Sequence, residues 1–333
     1  MNIRSPYIIL LGALLLMMAM ALTQGAYSLS WSAILFDKIG SIDQQILMTV
    51  RLPRLLMAVL VGAALAVSGS LMQALFRNPL ADPGLLGVSA GASVFVGVLI
   101  VFQPALGAVP LWAKSYLQSG AGFIGAVGTC ALIFSLSKHQ GKVSVLHLLL
   151  AGIAINALAG AATGLLTYVS NDEQLRALSF WSMGNLGGAR WEHVIVLASL
   201  VLPICGYVFR QSKNLNLLLL GEEEARYLGL NVERFKFRLV AVVALCVGIT
   251  VAFAGLIGFV GLMVPHLVRL LFGSDNRLVV PCSALLGAAL LTGADTVARL
   301  LVIPAELPVG LVTSLLGGPF FLWLLINNIK ESR

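Results

Sequence analysis

A chain of 333 residues that is 59% hydrophobic and only 11% charged cannot cover a water-facing surface, because soluble domains carry about 25% charged residues. Its net charge of +7 is not that of a nucleic-acid binder, since the basic residues gather in short loops between apolar runs, as membrane topology requires. The runs are continuous and do not alternate, so the spans are helices and not barrel strands.

Crossing about 30 Å of hydrocarbon takes about 20 helical residues. Ten such segments are predicted: 7–26, 54–76, 85–106, 119–137, 143–168, 193–209, 237–256, 258–272, 278–302 and 307–329. They form one domain over residues 1–333. The first, from Tyr7 to Leu22, has the length of a signal peptide but no convincing cleavage site. It reads as the first of many spans. The second opens on "RLPR", with Arg51 and Arg54 three residues apart. The seventh and eighth divide least clearly, because 239–272 is broken only by Gly255, Gly258, Gly261 and Pro265. Two short spans, or one span and a re-entrant piece, both fit that pattern.

An even number of spans puts both termini on one side. With the termini inside, the outer basic residues are Lys38, Arg51, Arg54, Lys114, Arg176, Arg190 and Arg299. The other fourteen of the 21 lie inside. The bias selects this orientation, with Arg269 the least secure assignment. Arg51 and Arg54 then stand against the rule. Snorkelling to lipid headgroups is one explanation of a cation at a helix end.

Small residues recur inside the spans at Gly87 and Gly91, Gly122 and Gly125, and Gly160 and Gly164. Such spacing lets helix backbones approach closely, for a tight bundle or for helices that slide. "NPLADPGLLG" (78–87) and "GFVGLMVPHLVR" (258–269) echo each other weakly as interrupted stretches, expected at opposite faces. Cys130, Cys205, Cys246 and Cys282 lie in apolar segments and read as buried small hydrophobes. His266 follows Pro265 and is expected to bond a carbonyl that the proline frees. Asp295, the one acid clearly inside a span, sits four residues before Arg299, so an i,i+4 pair explains it.

The chain has no phosphate-binding glycine loop and lacks the midplane carboxylates of an ion-driven carrier. Energy is therefore expected from another subunit. The longest inner loop holds "GEEEARYLGL" (221–230). Glu222, Glu223 and Glu224 suit the first turn of a short helix, Leu228 gives it an apolar residue, and Gly229 is a plausible stop. Such a helix suits a partner's groove.

Taken together, several stretches resemble the FecCD-like permease subunits of type II ABC importers, which move haem, ferric siderophores and cobalamin. They are "RLPRLLMAVLVGAALAVSGSLMQALFRNPLADPGLLGVSAGA" (51–92), "LLLAGIAIN" (148–156), "LGEEEARYLGL" (220–230), the stretch 255–299 and "ELPVGLVTSLLGGPFFLWLL" (306–325).

The resemblance implies an all-α polytopic permease that forms a homodimer, with the pathway along the two-fold axis. It implies two cytoplasmic ATPase subunits, which bind ATP and Mg, and a periplasmic binding protein. It implies no cofactor, metal or catalytic residue in this chain and no nucleic-acid partner. The bacterial inner membrane is the expected location, with lipid around the spans and both termini cytoplasmic.

Carried over residue by residue, it implies that Arg51, Arg54 and Arg299 dock the binding protein. It implies that Gly221, Glu222, Glu223, Glu224, Ala225, Arg226, Leu228 and Gly229 couple to the ATPase, and that Asn78 and Leu80 form a cytoplasmic gate. The segment 170–191 resembles haem-type members, and Val145 and Leu146 stand where the cobalamin importer is polar. Haem is the expected ligand, a ferric siderophore or cobalamin the alternative, and an ion-gradient-driven carrier the reading of another class.

Overall fold

The computed structural model describes residues 4–25, 27, 40–102, 110–139, 142–303 and 305–331. Lys38 and Arg333, used in the topology tally, lie outside them, and the side chain of Lys114 is not described. Long apolar runs with few helix breakers give helices α1 (Arg4–Thr23), α2 (Ser41–Ile46), α3 (Leu52–Phe76), α4 (Val88–Phe102), α5 (Leu111–Leu136) and α6 (Val145–Val169). A π-helical turn, Leu47–Arg51, joins α2 to α3. Then follow α7 (Asp172–Ser182), α8 (Trp191–Leu220), α9 (Glu222–Tyr227), α10 (Val232–Ala254), α11 (Val260–Phe272), α12 (Asn276–Leu300) and α13 (Val309–Glu331). A two-stranded antiparallel ribbon, β1 (Lys138–His139) and β2 (Lys142–Val143), pairs Lys138 with Val143 between α5 and α6.

Among the described residues, seven helices are long and apolar enough to cross a membrane, and three shorter apolar helices accompany them. Together they match the ten expected segments one for one. The chain is a multi-pass membrane protein. The ambiguous stretch 239–272 resolves into two helices, parted where Gly255 (φ +69) and Phe259 (φ +66) turn the chain. α7 lies outside the ten. It is an amphipathic helix of 11 residues, started by a capping box between Asn171 and Gln174, which satisfies two terminal backbone donors reciprocally.

In lipid, helices associate through close packing and not through expulsion of water. α3 is the centre, in contact with α8, α10, α11 and α12, and most extensively with α12. The reason is visible at Gly62, where a Cβ would collide with the carbonyl oxygen of Gly287 on α12. A Cβ at Gly69 would likewise collide with the carbonyl of Gly261 on α11. Gly160 and Gly164 of α6 are different. Nothing in the chain lies within reach of a Cβ at either. The small-residue pairs thus divide into those that seat a helix and one that faces open space.

Two expectations are corrected here. The interrupted stretches 78–87 and 258–269 do not sit apart at opposite faces. Each folds inward, and Asp82, Pro83 and Gly84 line a common cavity of about 300 Å³ with Ile257, Gly258 and Gly261. Alternation of loops between two faces assumes that every loop stays at the surface. A glycine- and proline-rich loop can dip into the bundle, because Asp82 accepts the Gly84 N–H and starts a 3-10 turn.

The second correction concerns His266, neither of whose ring nitrogens has a hydrogen-bond partner among the described residues. Pro265 frees the carbonyl four residues back, which is that of Gly261, and this oxygen points at Gly69. The imidazole packs edge-on against Phe320 at 6.2 Å.

Replacing Gly69 by valine should therefore force α11 off α3. Overpacking of this kind costs about 1–3 kcal/mol, to be read as a lowered thermal midpoint in detergent. A Gly206→Val control, at an exposed position of α8 where nothing lies within reach of a Cβ, should shift the midpoint far less.

Candidate functional site

Arg51 closes the π-helical turn and Arg54 begins α3. Arg299 lies in the last turn of α12. α3 and α12 run antiparallel, so these ends meet. The three arginines line one cavity of about 160 Å³ with Gly25, Tyr27 and Glu306. None is more than 8% exposed. Side chains turned inward like this do not snorkel.

Each guanidinium has partners within the chain. Arg54 donates from Nε to both oxygens of Asp295 at 3.0 Å and from Nη2 to Oδ1 at 2.8 Å. Its Nη1 reaches Glu306 Oε2 at 2.7 Å. Arg299 Nε stands 3.3 Å from Asp295 Oδ2, the expected i,i+4 pair, and Nη2 donates to the Ala21 carbonyl at 3.1 Å. Arg51 donates to the carbonyls of Leu22 and Tyr27. Among the described residues it alone of the three has no carboxylate. Among the described residues three guanidiniums face two carboxylates, which leaves one positive charge in excess there.

The other predicted residues stand at the far end of the bundle. α12 has 25 residues, about 37 Å at 1.5 Å each. Its first turn is capped by Asp275 and held to α8 by Asn216, whose Nδ2 donates to Asp275 at 2.7 Å. The Arg277 guanidinium pulls the Asp275 carboxyl down to about 2. α9 follows directly. Gly221 (φ +136) turns the chain into it, with Glu222, Glu223 and Glu224 in its first turn and Ala225 buried beneath. Gly229 (φ +87) stops it, its N–H donating to Arg226 and that of Leu230 to Ala225. These are the crossed bonds by which a left-handed glycine closes a helix. Tyr227 and Leu228 are left outside, Leu228 59% exposed.

At this same end α3 stops at Arg77 in a left-handed conformation. Asn78 Oδ1 then accepts the Leu80 N–H at 2.9 Å, and Leu80 projects exposed. Gln73, one turn earlier, donates to the Leu262 carbonyl at 3.0 Å and accepts from Arg269. Arg269, the least secure assignment, thus lies at the end that carries α9. The four cysteines are free and buried.

The arrangement offers no constellation for covalent chemistry in the residues just described. It offers an ion cluster at one end, an exposed helix at the other and, between them, α6. Four of the 25 residues of α6 are buried within the chain, against 20 of the 25 of α3. Sequence reasoning missed Glu306, which lies in an irregular loop with no periodicity. It also missed Lys236, counted only among the fourteen inner basic residues but 1% exposed.

The model of the FecCD transport family matches residues 11–327. The hemin transport system permease protein HmuU of Yersinia pestis is 52% identical over 337 residues, covering 100% of this chain and 99% of its own. The vitamin B12 import system permease protein BtuC of Vibrio cholerae is 42% identical over 298 residues, covering 88% of this chain and 86% of its own. A solved structure described as an inward-facing conformation of a metal-chelate type ABC transporter superposes with a TM-score of 0.85 at 35% identity. It covers 96% of this chain and 99% of its own.

Removing one partner of a buried ion pair leaves the other charge uncompensated, at a cost of about 3–5 kcal/mol. Asp295→Asn, which strips Arg54 and Arg299 together, should lower the thermal midpoint sharply. Glu306, 43% exposed on its side chain, is near the surface regime in which pairs contribute about 1 kcal/mol or less. Glu306→Gln should shift the midpoint far less, and the two shifts are to be compared in the same detergent.

Proposed function

The chain belongs to the FecCD transport family, and on that premise we propose that it is the membrane permease of an ABC importer for haem. The observation that carries this reading is the 52% identity to the hemin permease over the whole chain, ahead of 42% to a vitamin B12 permease. In this reading two copies pair across the exposed face of α6, and the ligand passes along the line of small residues from Gly160 to Thr167. Two ATPase subunits, which bind ATP and Mg, dock on α9 in the cytoplasm. A periplasmic binding protein docks at the arginine end. The membrane is the bacterial inner membrane, and both termini are cytoplasmic. Asn78 and Leu80 close the cytoplasmic side.

Reconstitution with the cognate ATPase and binding protein tests the ligand. Uptake of haem into proteoliposomes should require both partners and ATP. Uptake of cobalamin or a ferric siderophore in place of haem overturns the ligand assignment. Uptake by the chain alone, driven by an ion gradient, overturns the importer.

The docking of α9 rests on its exposed apolar tip. Leu228→Asp puts a charge into that surface, and loss of a central apolar anchor commonly costs about 2 kcal/mol or more of binding. The variant should fold normally but co-purify poorly with the ATPase. A normal yield of coupled complex would remove α9 from this role.

At the other end the ion cluster directs the choice of variant. Arg54→Glu would bury a third carboxylate beside Asp295 and Glu306, so its effect on docking would be mixed with misfolding. Among the described residues, Arg51 carries the charge that lacks a carboxylate. Arg51→Glu should weaken binding-protein docking more than Arg51→Gln does, because like charges then face each other. Recovery with a partner whose facing glutamate is changed to arginine would establish direct pairing. Undiminished docking of Arg51→Glu would rule it out.

A further inference from the structure

Lys236 lies in the second turn of α10, and its ammonium is almost completely enclosed. Its Nζ donates to Glu222 Oε2 of α9 at 2.6 Å and to the Val143 carbonyl of β2 at 2.8 Å. Glu233, one turn earlier on α10, mirrors it. Glu233 Oε2 accepts the Val143 N–H at 2.8 Å, and Oε1 accepts from Arg226 of α9 at 3.0 Å. Lys236 and Glu233 stand 3.9 Å apart. Both backbone polar groups of Val143 are therefore held by two side chains of α10. Each of those side chains also holds a side chain of α9.

Val143 is directly followed by Ser144, the N-cap of α6, whose hydroxyl oxygen accepts the His147 N–H. The chain from the clamp to the first turn of the proposed pathway helix is one residue long. We infer that Lys236 and Glu233 are positioning residues that join α9 to the start of α6, so that a displacement of the docked helix is carried into the pathway helix. The inference rests on the docking reading of α9 and adds to it the route by which docking acts.

The physical reason is a comparison of two costs. Hydrogen bonds of 2.6–3.0 Å have little slack, since they are lost within a few tenths of an ångström beyond normal range. If α9 moves alone, the enclosed ammonium of Lys236 loses Glu222 and the Glu233 carboxylate loses Arg226, which is strongly unfavourable. If the side chains of Lys236 and Glu233 follow α9 and Val143 follows them, every bond survives. Its own chain holds α6 back little, because only four of its residues are buried there. Moving together is the cheaper response.

The test uses the complete complex of chain and ATPase, with the four native cysteines replaced by alanine and one new cysteine at Leu150, an exposed position on α6. Its rate of maleimide labelling is measured without nucleotide and with ATP. The original Lys236 and Glu233 should give an ATP-dependent change in rate. Lys236→Met and Glu233→Gln should each reduce that change at least about fivefold, with ATP hydrolysis within about twofold, the range of a site-to-site coupling. Lys236→Arg, which keeps the charge and the donors, should retain most of it.

An unchanged ATP response in Lys236→Met and Glu233→Gln, with or without a lowered thermal midpoint, overturns the inference and makes the cluster a structural anchor only. So does an α6 that shows no ATP-dependent change with Lys236 and Glu233 intact. If Lys236→Met does not assemble, Glu233→Gln decides, since its side chain is partly exposed. Leu228→Asp in the same assay separates the two readings. Loss of the ATP response there with none in the clamp variants refutes the linkage and keeps the docking site.

Discussion

The bundle depends on one contact, the seating of α3 against α12. Two backbones meet where Gly62 faces Gly287, and one turn from the end of α12 Asp295 receives Arg54 from α3. In a bilayer neither feature is optional. Packing must supply the attraction that water supplies in soluble cores, and a charge inside the helical layer must find its opposite. The antiparallel direction fixed by this pair places Arg299 beside Arg51 and Arg54. It also carries Phe76 and Asn276 to the other end, where α8, α9 and the Asn78 loop collect. Both candidate surfaces are therefore positioned by one pair of helices.

The two ends differ in how they treat charge. Among the described residues of the arginine cluster the cations outnumber the carboxylates, and Arg51 is satisfied by backbone oxygens alone. At the α9 end, Glu222, Glu233, Arg226 and Lys236 balance one another. An unbalanced cluster leaves something for an anionic surface to complete, whereas a balanced one is already complete and is suited to holding elements together. The charge ledger of each end thus agrees with the role proposed for it.

What could be read from the sequence was whatever is local. Ten apolar stretches announce themselves by length. Gly229 announces a helix end, and Asp295 and Arg299 announce a pair because they are one turn apart. The partnership of Arg54 with Asp295 spans 241 positions and has no local mark. Glu306 is equally silent, since a single acid in a loop looks the same whether it meets solvent or a guanidinium. Lys236 went unnoticed because a cation near a helix start normally faces water. The buried site exists only because α9 and β2 fold over it. The inward turn of 78–87 was missed for a related reason, since assigning loops to alternate faces treats each as a surface object.

The buried residues of α6 are Leu148, Gly152, Ala159 and Leu166. Their separations of four and seven keep them on one narrow stripe of the helix. A helix gripped on two sides cannot turn without breaking one set of contacts. One gripped along a single stripe has an axle, and small rolls about it leave the stripe largely in place. For α6 this means that which of its remaining faces lines an adjoining space is not dictated by its own chain. That choice belongs to whatever covers the other side.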